Sequence, residues 1–226
     1  TTRYEFETMP AEDVTIYAGW SAHTQSINLY DASDVAEPIF VFAGNNSSFV
    51  YTSDRRLIGF GYLNLDGYPT TTATPVDITD LFGFHTEEWV DKVVSRGSFF
   101  VLTSEGRLFV WGANSYGIFG DGTTTGSGVP IEITGNIPLA DGEILLDIEL
   151  EQDSVFVVTS EGRLFAWGYN SYYNLGDGTN EHRHEPVDIT PKLNLMTDEH
   201  VIDVSAGQVI TAALTSSGRV FTWGFN

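Results

Sequence analysis

The densest collection of metal-ligand side chains in the sequence is Glu181-His182-Arg183-His184-Glu185. In an extended backbone His182 and His184 project to the same side, and neutral imidazoles are zinc ligands. Two ligands with a guanidinium between them fall short of a site, so the segment reads as an exposed polar loop. Asp121-Gly122 and Asp177-Gly178 place carboxylates in glycine-rich loops, a setting that suits calcium. One carboxylate per loop does not build a coordination shell, and Asp-Gly is equally a turn dipeptide. No serine, histidine and carboxylate cluster at a catalytic spacing, and no glycine-rich phosphate loop opens a helix. The expectation is a chain with no catalytic residue, no metal and no cofactor.

What remains is recognition chemistry. Tyr116, Phe119, Tyr172 and Tyr173 lie in stretches rich in Gly, Ser and Asn, the composition of adaptable binding surfaces. They are the candidate partner-binding residues. Phe119 aligns with Leu175, so packing between adjacent loops is the other reading for it. Arg56, Arg107, Arg163 and Arg219 recur in register. Such a set either rings an anionic ligand or pairs each arginine with a neighbouring carboxylate or tryptophan face. A position that recurs with a repeat serves the repeat, which favours the second reading.

The element that must position these residues is itself repeated. Leu102-Thr103-Ser104-Glu105-Gly106-Arg107-Leu108-Phe109-Val110-Trp111-Gly112 returns at Val158–Gly168 and at Leu214–Gly224, with offsets of 158 − 102 = 56 and 214 − 158 = 56. A fainter copy runs from Tyr51 to Gly61. A fixed period of this size means one supersecondary unit used several times. Each copy reads as a hairpin, with strands at 98–103 and 107–112, 154–159 and 163–168, 210–215 and 219–224. Gly106, Gly162 and Gly218 stand where a short hairpin loop needs positive φ. Arg55 holds that place in the first copy, so the turn there either differs or is strained. Trp111, Trp167 and Trp223 belong to the core.

Two further strands complete the unit. Pro75-Val76-Asp77-Ile78-Thr79, Pro130-Ile131-Glu132-Ile133-Thr134 and Pro186-Val187-Asp188-Ile189-Thr190 alternate apolar and acidic residues, and the proline suits an outer edge. A strand also precedes each hairpin, with Phe40, Asp91, Asp147 and Asp203 in equivalent places. Ser26-Ile27-Asn28-Leu29-Tyr30 resembles the proline strand weakly. About four short strands per unit, repeated around an axis, are the blades of an all-β propeller.

The whole chain of 226 residues carries 31 acidic against 10 basic side chains, a net charge of −21. That surface repels phosphate backbones and anionic membranes, which argues against nucleic acid as a partner. Cysteine is absent, removing disulfides and thiolate chemistry. No apolar run is long enough to span a bilayer, and no signal peptide is found.

After each tryptophan comes a variable loop, Ala113 to Thr123 and Tyr169 to Thr179. The pattern Trp-Gly-x-Asn followed by Gly-Asp-Gly-Thr and Pro, behind Leu-Thr-x-x-Gly-x-Leu-Phe, resembles the regulator-of-chromosome-condensation repeat. The resemblance covers residues 26–226 and is strongest in the last three copies. It implies a β-propeller, here about four blades of a larger ring, at about 26–80, 81–135, 136–190 and an incomplete 191–226. Members include a nuclear exchange factor for a small GTPase and a bacterial β-lactamase inhibitor that presents loop aromatics to its partner. The Gly-x-x-His of many members is missing, and so is a basic tail, so exchange activity is not carried over. Separately, Tyr4 to Trp20, with Met9-Pro10-Ala11-Glu12-Asp13-Val14-Thr15, resembles the end of an internalin-type B-repeat. The alternative for residues 1–25 is an ordinary edge strand and linker.

Together these readings describe a piece of a bacterial cell-surface protein, extracellular, with a non-catalytic module that binds a protein through loops on one rim. The competing expectation is a glycan-binding propeller that uses Trp20, Tyr172 and Tyr173 as stacking platforms. Two chains exchanging the 26–30 strand would close an eight-bladed homodimeric ring, against an open arc of four blades.

Overall fold

The computed structural model describes residues 15–18, 25–28, 38–67 and 71–225. Strands β1 (Thr15–Ala18) and β2 (Gln25–Asn28) form a hairpin of their own. The first blade follows as β3 (Pro38–Ala43), β4 (Ser47–Thr52), β5 (Leu57–Tyr62) and β6 (Thr71–Asp77). The second is β7 (Val90–Ser95), β8 (Ser98–Thr103), β9 (Leu108–Gly112) and β10 (Ser127–Glu132). The third is β11 (Leu145–Glu151), β12 (Ser154–Thr159), β13 (Leu164–Gly168) and β14 (Arg183–Asp188). The fourth has three strands, β15 (Val201–Ala206), β16 (Ile210–Thr215) and β17 (Val220–Gly224). Every blade is an antiparallel meander in chain order. No helix among the described residues is long and apolar enough to cross a membrane.

The expected hairpins are present. The first strand of each matches the expected bounds, and the second begins one residue later because Arg107, Arg163 and Arg219 close the turn. Gly106, Gly162 and Gly218 sit at φ of 74°, 70° and 81°. Arg55 adopts the same turn at φ 65°, with its N–H on the Thr52 carbonyl, so the first copy keeps the geometry and carries the strain.

Two expectations need correction. In the strand before each hairpin, Lys92 rather than Asp91 is equivalent to Asp147, Asp203 and Phe40. Each of the four pairs with the residue one short of the hairpin threonine, and a bulge beside the preceding pair skips Asp91. The proline strands also begin earlier and stop sooner than the motif suggests. Pro75, Pro130 and Pro186 fall within register shifts, where a missing N–H costs the ladder nothing. The Ile-Thr pairs leave the sheet. Ile78, Ile133 and Ile189 drop into the core, and a 3-10 turn follows. The hydroxyls of Thr79, Thr134 and Thr190 then accept the N–H of Leu57, Leu108 and Leu164, each at 2.8 Å.

The strands before the hairpins are the innermost, since β3, β7, β11 and β15 approach one another in turn. Apolar cores fill the spaces between successive blades, with Phe100, Ile148 and Trp167 between blades two and three, and Phe156, Leu175 and Val204 between three and four. Trp111 and Trp167 are 0% exposed, whereas Trp223 is half-buried, in the blade that has three strands and no fourth beside β17 among the described residues. Each indole reaches back to the preceding blade. Trp111 Nε1 donates to Leu63 O (2.8 Å), Trp167 Nε1 to Ile118 O (2.7 Å) and Trp223 Nε1 to Asn174 O (2.9 Å). Of the 26–30 segment, residues 26–28 are described: they belong to β2, which pairs with β1, while the fourth blade holds β15, β16 and β17.

Candidate functional site

One rim of the propeller carries the loops that follow Gly112 and Gly168. A buried asparagine braces each. Asn114 Oδ1 accepts the Phe119 N–H at 3.0 Å, and its Nδ2 donates to the Thr123 and Thr125 carbonyls. Asn170 repeats this with the Leu175 N–H (2.9 Å) and the Thr179 and Glu181 carbonyls. The carboxamide closes the loop by pairing backbone groups that would otherwise lack partners. These asparagines belong to the quoted repeat pattern, and their function is structural.

The brace turns Phe119 inward. It is 0% exposed and packed in the core with Trp167 and Ile118, as Leu175 is in the next blade. Its place among the surface residues is therefore corrected: the ring pins the loop and faces no solvent. Tyr116 is half-buried against the same core, which is less exposed than its loop position suggests. Tyr172 and Tyr173 are 39% and 54% exposed.

The tyrosines are not isolated. Tyr116 meets Tyr169 edge-on at 5.0 Å and His182 at 5.2 Å. Tyr169 stacks on His182 at 5.0 Å and meets Tyr172 at 6.1 Å, and Tyr172 meets Phe225 at 5.5 Å. An aromatic row thus crosses from the second blade to the fourth. Sequence reading missed Tyr169, His182 and Phe225 because the row is assembled from three separate loops. His182 Nδ1 accepts the Asn170 N–H at 3.0 Å. A backbone N–H only donates, so Nδ1 carries no proton and its lone pair is occupied.

Tyr173 stands outside the row. Its φ is 60°, in the left-handed region, at the place where the second blade has Gly117 at φ 72°. The Tyr173 N–H bonds the Asn170 carbonyl just as the Gly117 N–H bonds that of Asn114. Gly117 has no alternative, because a Cβ there would lie 2.5 Å from the His184 ring. Tyr173 keeps a large exposed side chain in a conformation that favours glycine, and such outliers cluster at sites of function.

The other candidates resolve into structure. Asp177 is buried, and its oxygens take Arg183 Nε (2.6 Å), Asn170 Nδ2 (3.1 Å) and the Thr179 N–H (2.9 Å). Burial raises its pKa, and these donors outweigh that and hold it below the ordinary value. On the opposite rim, Arg107 reaches Glu88 (2.7 Å) and Glu132 (2.9 Å), Arg163 reaches Glu143 and Asp188, and Arg219 reaches Glu199 (2.7 Å). Their guanidinium carbons sit 4.7, 4.8 and 4.6 Å above Phe109, Phe165 and Phe221. The aromatic partner is the phenylalanine two residues on, which shares the arginine's side of the strand, and not the tryptophan. The Arg163 hydrogen bond holds Glu143 at about 2. Backbone and hydroxyl donors, led by the Met196 N–H, hold Glu199 at about 2. His85, Glu88 and Glu105 bring three ligand atoms within 4.8 Å of one another. Glu88 Oε2 already accepts from Arg107 and from the His85 N–H (2.9 Å), so the carboxylate is committed to the repeat.

Successive antiparallel blades packed face to face around their innermost strands define the class as a β-propeller. Residues 161–214 match the model of the "Regulator of chromosome condensation (RCC1) repeat". Among curated proteins, the chain is 30% identical over 190 residues to the human E3 ubiquitin-protein ligase HERC2, covering 82% of this chain and 4% of that protein. Among solved structures, human WBSCR16 aligns with a TM-score of 0.70 at 23% identity, over 90% of this chain and 50% of that one. Prp20p from Saccharomyces cerevisiae aligns with a TM-score of 0.66 at 17% identity, over 89% and 48%. The chain carries the RCC1 repeat in an RCC1-like β-propeller fold. It spans half or less of the length of each of these proteins.

Proposed function

We propose that this propeller is a non-catalytic protein-binding module whose partner sits on the rim of Tyr116, Tyr172 and Tyr173. The observation that carries the reading is Tyr173, a half-exposed aromatic held at φ 60° beside a continuous aromatic row. A tyrosine in this position costs stability, and a contact made by its ring offsets that cost. Large rigid aromatics on adaptable loops supply contact area at little entropic cost. Yeast Prp20, a structural neighbour, is bound by Kap60 and has binding properties to Gsp1p and histones, which supports protein recognition by this fold. We place the module on a bacterial cell surface, a reading supported by the B-repeat-like residues 4–20. Those residues, apart from 15–18, lie outside the described ones, as does Trp20.

The test is affinity capture with quantitative mass spectrometry, comparing the wild-type chain with a Tyr172→Ala/Tyr173→Ala variant. The expected result is a partner retained by the wild type and lost from the variant, whose hydrogen exchange protection maps to 113–126 and 169–182. Equal retention on both proteins, or protection confined to the opposite rim, would sink the proposal.

A further inference from the structure

The rim that carries the aromatic row also carries an unbalanced charge. Residues 113–126 and 169–185 hold Asp121, Asp177, Glu181 and Glu185 against Arg183 alone, a net charge of 1 − 4 = −3. Arg183 is committed to Asp177 at 2.6 Å and meets Glu181 only loosely, at 3.8 Å. The Glu181 side chain is 76% exposed and precedes His182, a member of the row. Glu185 is exposed and makes no ion pair among the described residues. Its Oε1 lies 3.2 Å from where a Cβ on Gly122 would stand, so it borders the second blade's loop. Asp121 accepts only the Thr123 N–H and hydroxyl of its own loop, which leaves its charge uncompensated.

The opposite rim shows what this chain does with such groups. There Arg107, Arg163 and Arg219 each lie over a phenylalanine and reach a carboxylate at the same time. Along the aromatic row the rings and the carboxylates are present without the cation. Among the described residues no lysine or arginine lies over Tyr116, Tyr169, Tyr172 or Tyr173.

The spacing of the row suits an extended chain. Same-side residues of an extended segment repeat at about 6.7 Å. The ring centroids step by 6.1 Å from Tyr169 to Tyr172 and by 5.5 Å from Tyr172 to Phe225. Alternate side chains of one segment therefore reach successive rings.

Charge and shape together select the side chain. A ring face attracts a cation. A guanidinium is planar and weakly hydrated, so it stacks on a ring while its N–H fork holds a carboxylate. An ammonium is a strongly hydrated point charge and does this less well. An acidic segment is repelled by the rim and by a chain of net charge −21.

We infer that the aromatic row and its flanking carboxylates form a docking surface for an extended, arginine-bearing peptide segment. Its guanidinium groups take the exposed ring faces and the carboxylates of Glu181 and Glu185. The inference rests on the reading of this rim as a protein-binding face and adds the chemistry of the partner.

The experiment titrates the full chain with blocked Gly-Arg-Gly-Arg-Gly and with its lysine, leucine and glutamate counterparts. Tyrosine-ring NMR reads binding at about 50 mM and about 300 mM sodium chloride, which differ in screening length. The arginine peptide should shift the rings of Tyr116 and Tyr172 saturably, bind tightest of the four, and weaken at the higher salt. Tyr172→Phe keeps the ring face and should bind as the wild type does. Tyr172→Leu keeps apolar bulk without that face and should bind about threefold more weakly. Glu181→Gln/Glu185→Gln, at two exposed positions, should also cost about threefold at low salt.

The inference is overturned by any other peptide binding as tightly as the arginine one, or by shifts that avoid the row. Binding indifferent to salt, or full affinity in Tyr172→Leu, overturns it as well. A partner captured through Tyr172 and Tyr173 whose binding ignores salt and the glutamate variant would overturn it and leave the protein-binding reading intact. Capture of no partner, with the arginine peptide bound at the row, would count against that reading and for the arginine surface.

Discussion

Replacing Tyr173 by alanine and, separately, by glycine isolates the backbone cost of the turn. Both substitutions remove the same ring, and both keep the Tyr173 N–H bond to Asn170 O and the Gly176 N–H bond to the residue-173 carbonyl. They differ only in the Cβ. At an ordinary position alanine is the more stable of the two by roughly 0.5–1 kcal/mol, because glycine loses more freedom on folding. At φ 60° the Cβ approaches the carbonyl oxygen at a cost of roughly 1–2 kcal/mol. The order should therefore invert, with Tyr173→Gly more stable than Tyr173→Ala by about 1 kcal/mol, or a few degrees in Tm for a chain of this length. Urea titrations of the two variants measure it, with equal m-values required. Alanine equal to or better than glycine would show that the loop does not hold this turn, and the strain argument would fall with it. Both variants should lose partner binding equally, since both lack the ring.

Gly117→Ala should be markedly worse, by about 2 kcal/mol or more, because positive φ is joined by a Cβ 2.5 Å from His184; thermal unfolding checks it. Trp167→Phe should cost about 1–3 kcal/mol through the orphaned Ile118 carbonyl, measured by urea unfolding. Glu143 and Glu199 sit at about 2, below their ordinary 4.5. Stability should accordingly be full above pH 4.5 and fall as pH drops toward 2, with Glu143 contributing up to about 3 kcal/mol of that loss. In Glu143→Gln, Tm should depend less on pH across that range. Lys92→Met leaves Asp147 and Glu149 without their cation, and should destabilise by about 1 kcal/mol at low salt and less in high salt.

The sequence made the blades legible because the hairpin is fixed locally: glycine at the turn, tryptophan at the end, alternation between. It misplaced what depends on a neighbour. Asp91 was aligned with Asp147 by counting residues, but a bulge sets the register at Lys92. Ile78, Ile133 and Ile189 continue the strand pattern, yet the adjacent core takes their side chains and the chain turns. Phe119 and Tyr172 lie in the same kind of loop, but Phe119 takes the braced place that Leu175 holds in the next blade, where the side chain turns inward. The arginines were expected over carboxylates or tryptophans, and found both a carboxylate and a phenylalanine.

The indole bonds to Leu63, Ile118 and Asn174 have a consequence for how such a surface can diversify. Each variable loop owes its neighbour one carbonyl oxygen and owes the core one buried side chain just after it, Phe119 or Leu175. Because the first debt is to a main-chain atom, any residue can honour it. Ser115, and Ser171 and Tyr172 between Asn170 and Tyr173, are then free to change without altering the angle between blades, whereas Tyr116 also packs on the core. The propeller therefore behaves as a rack of interchangeable cassettes. Transplanting residues 171–173 into 115–117 would demand a smaller residue at His184 and a shift of its backbone as well, because a Cβ at position 117 would lie 2.7 Å from the His184 Cα.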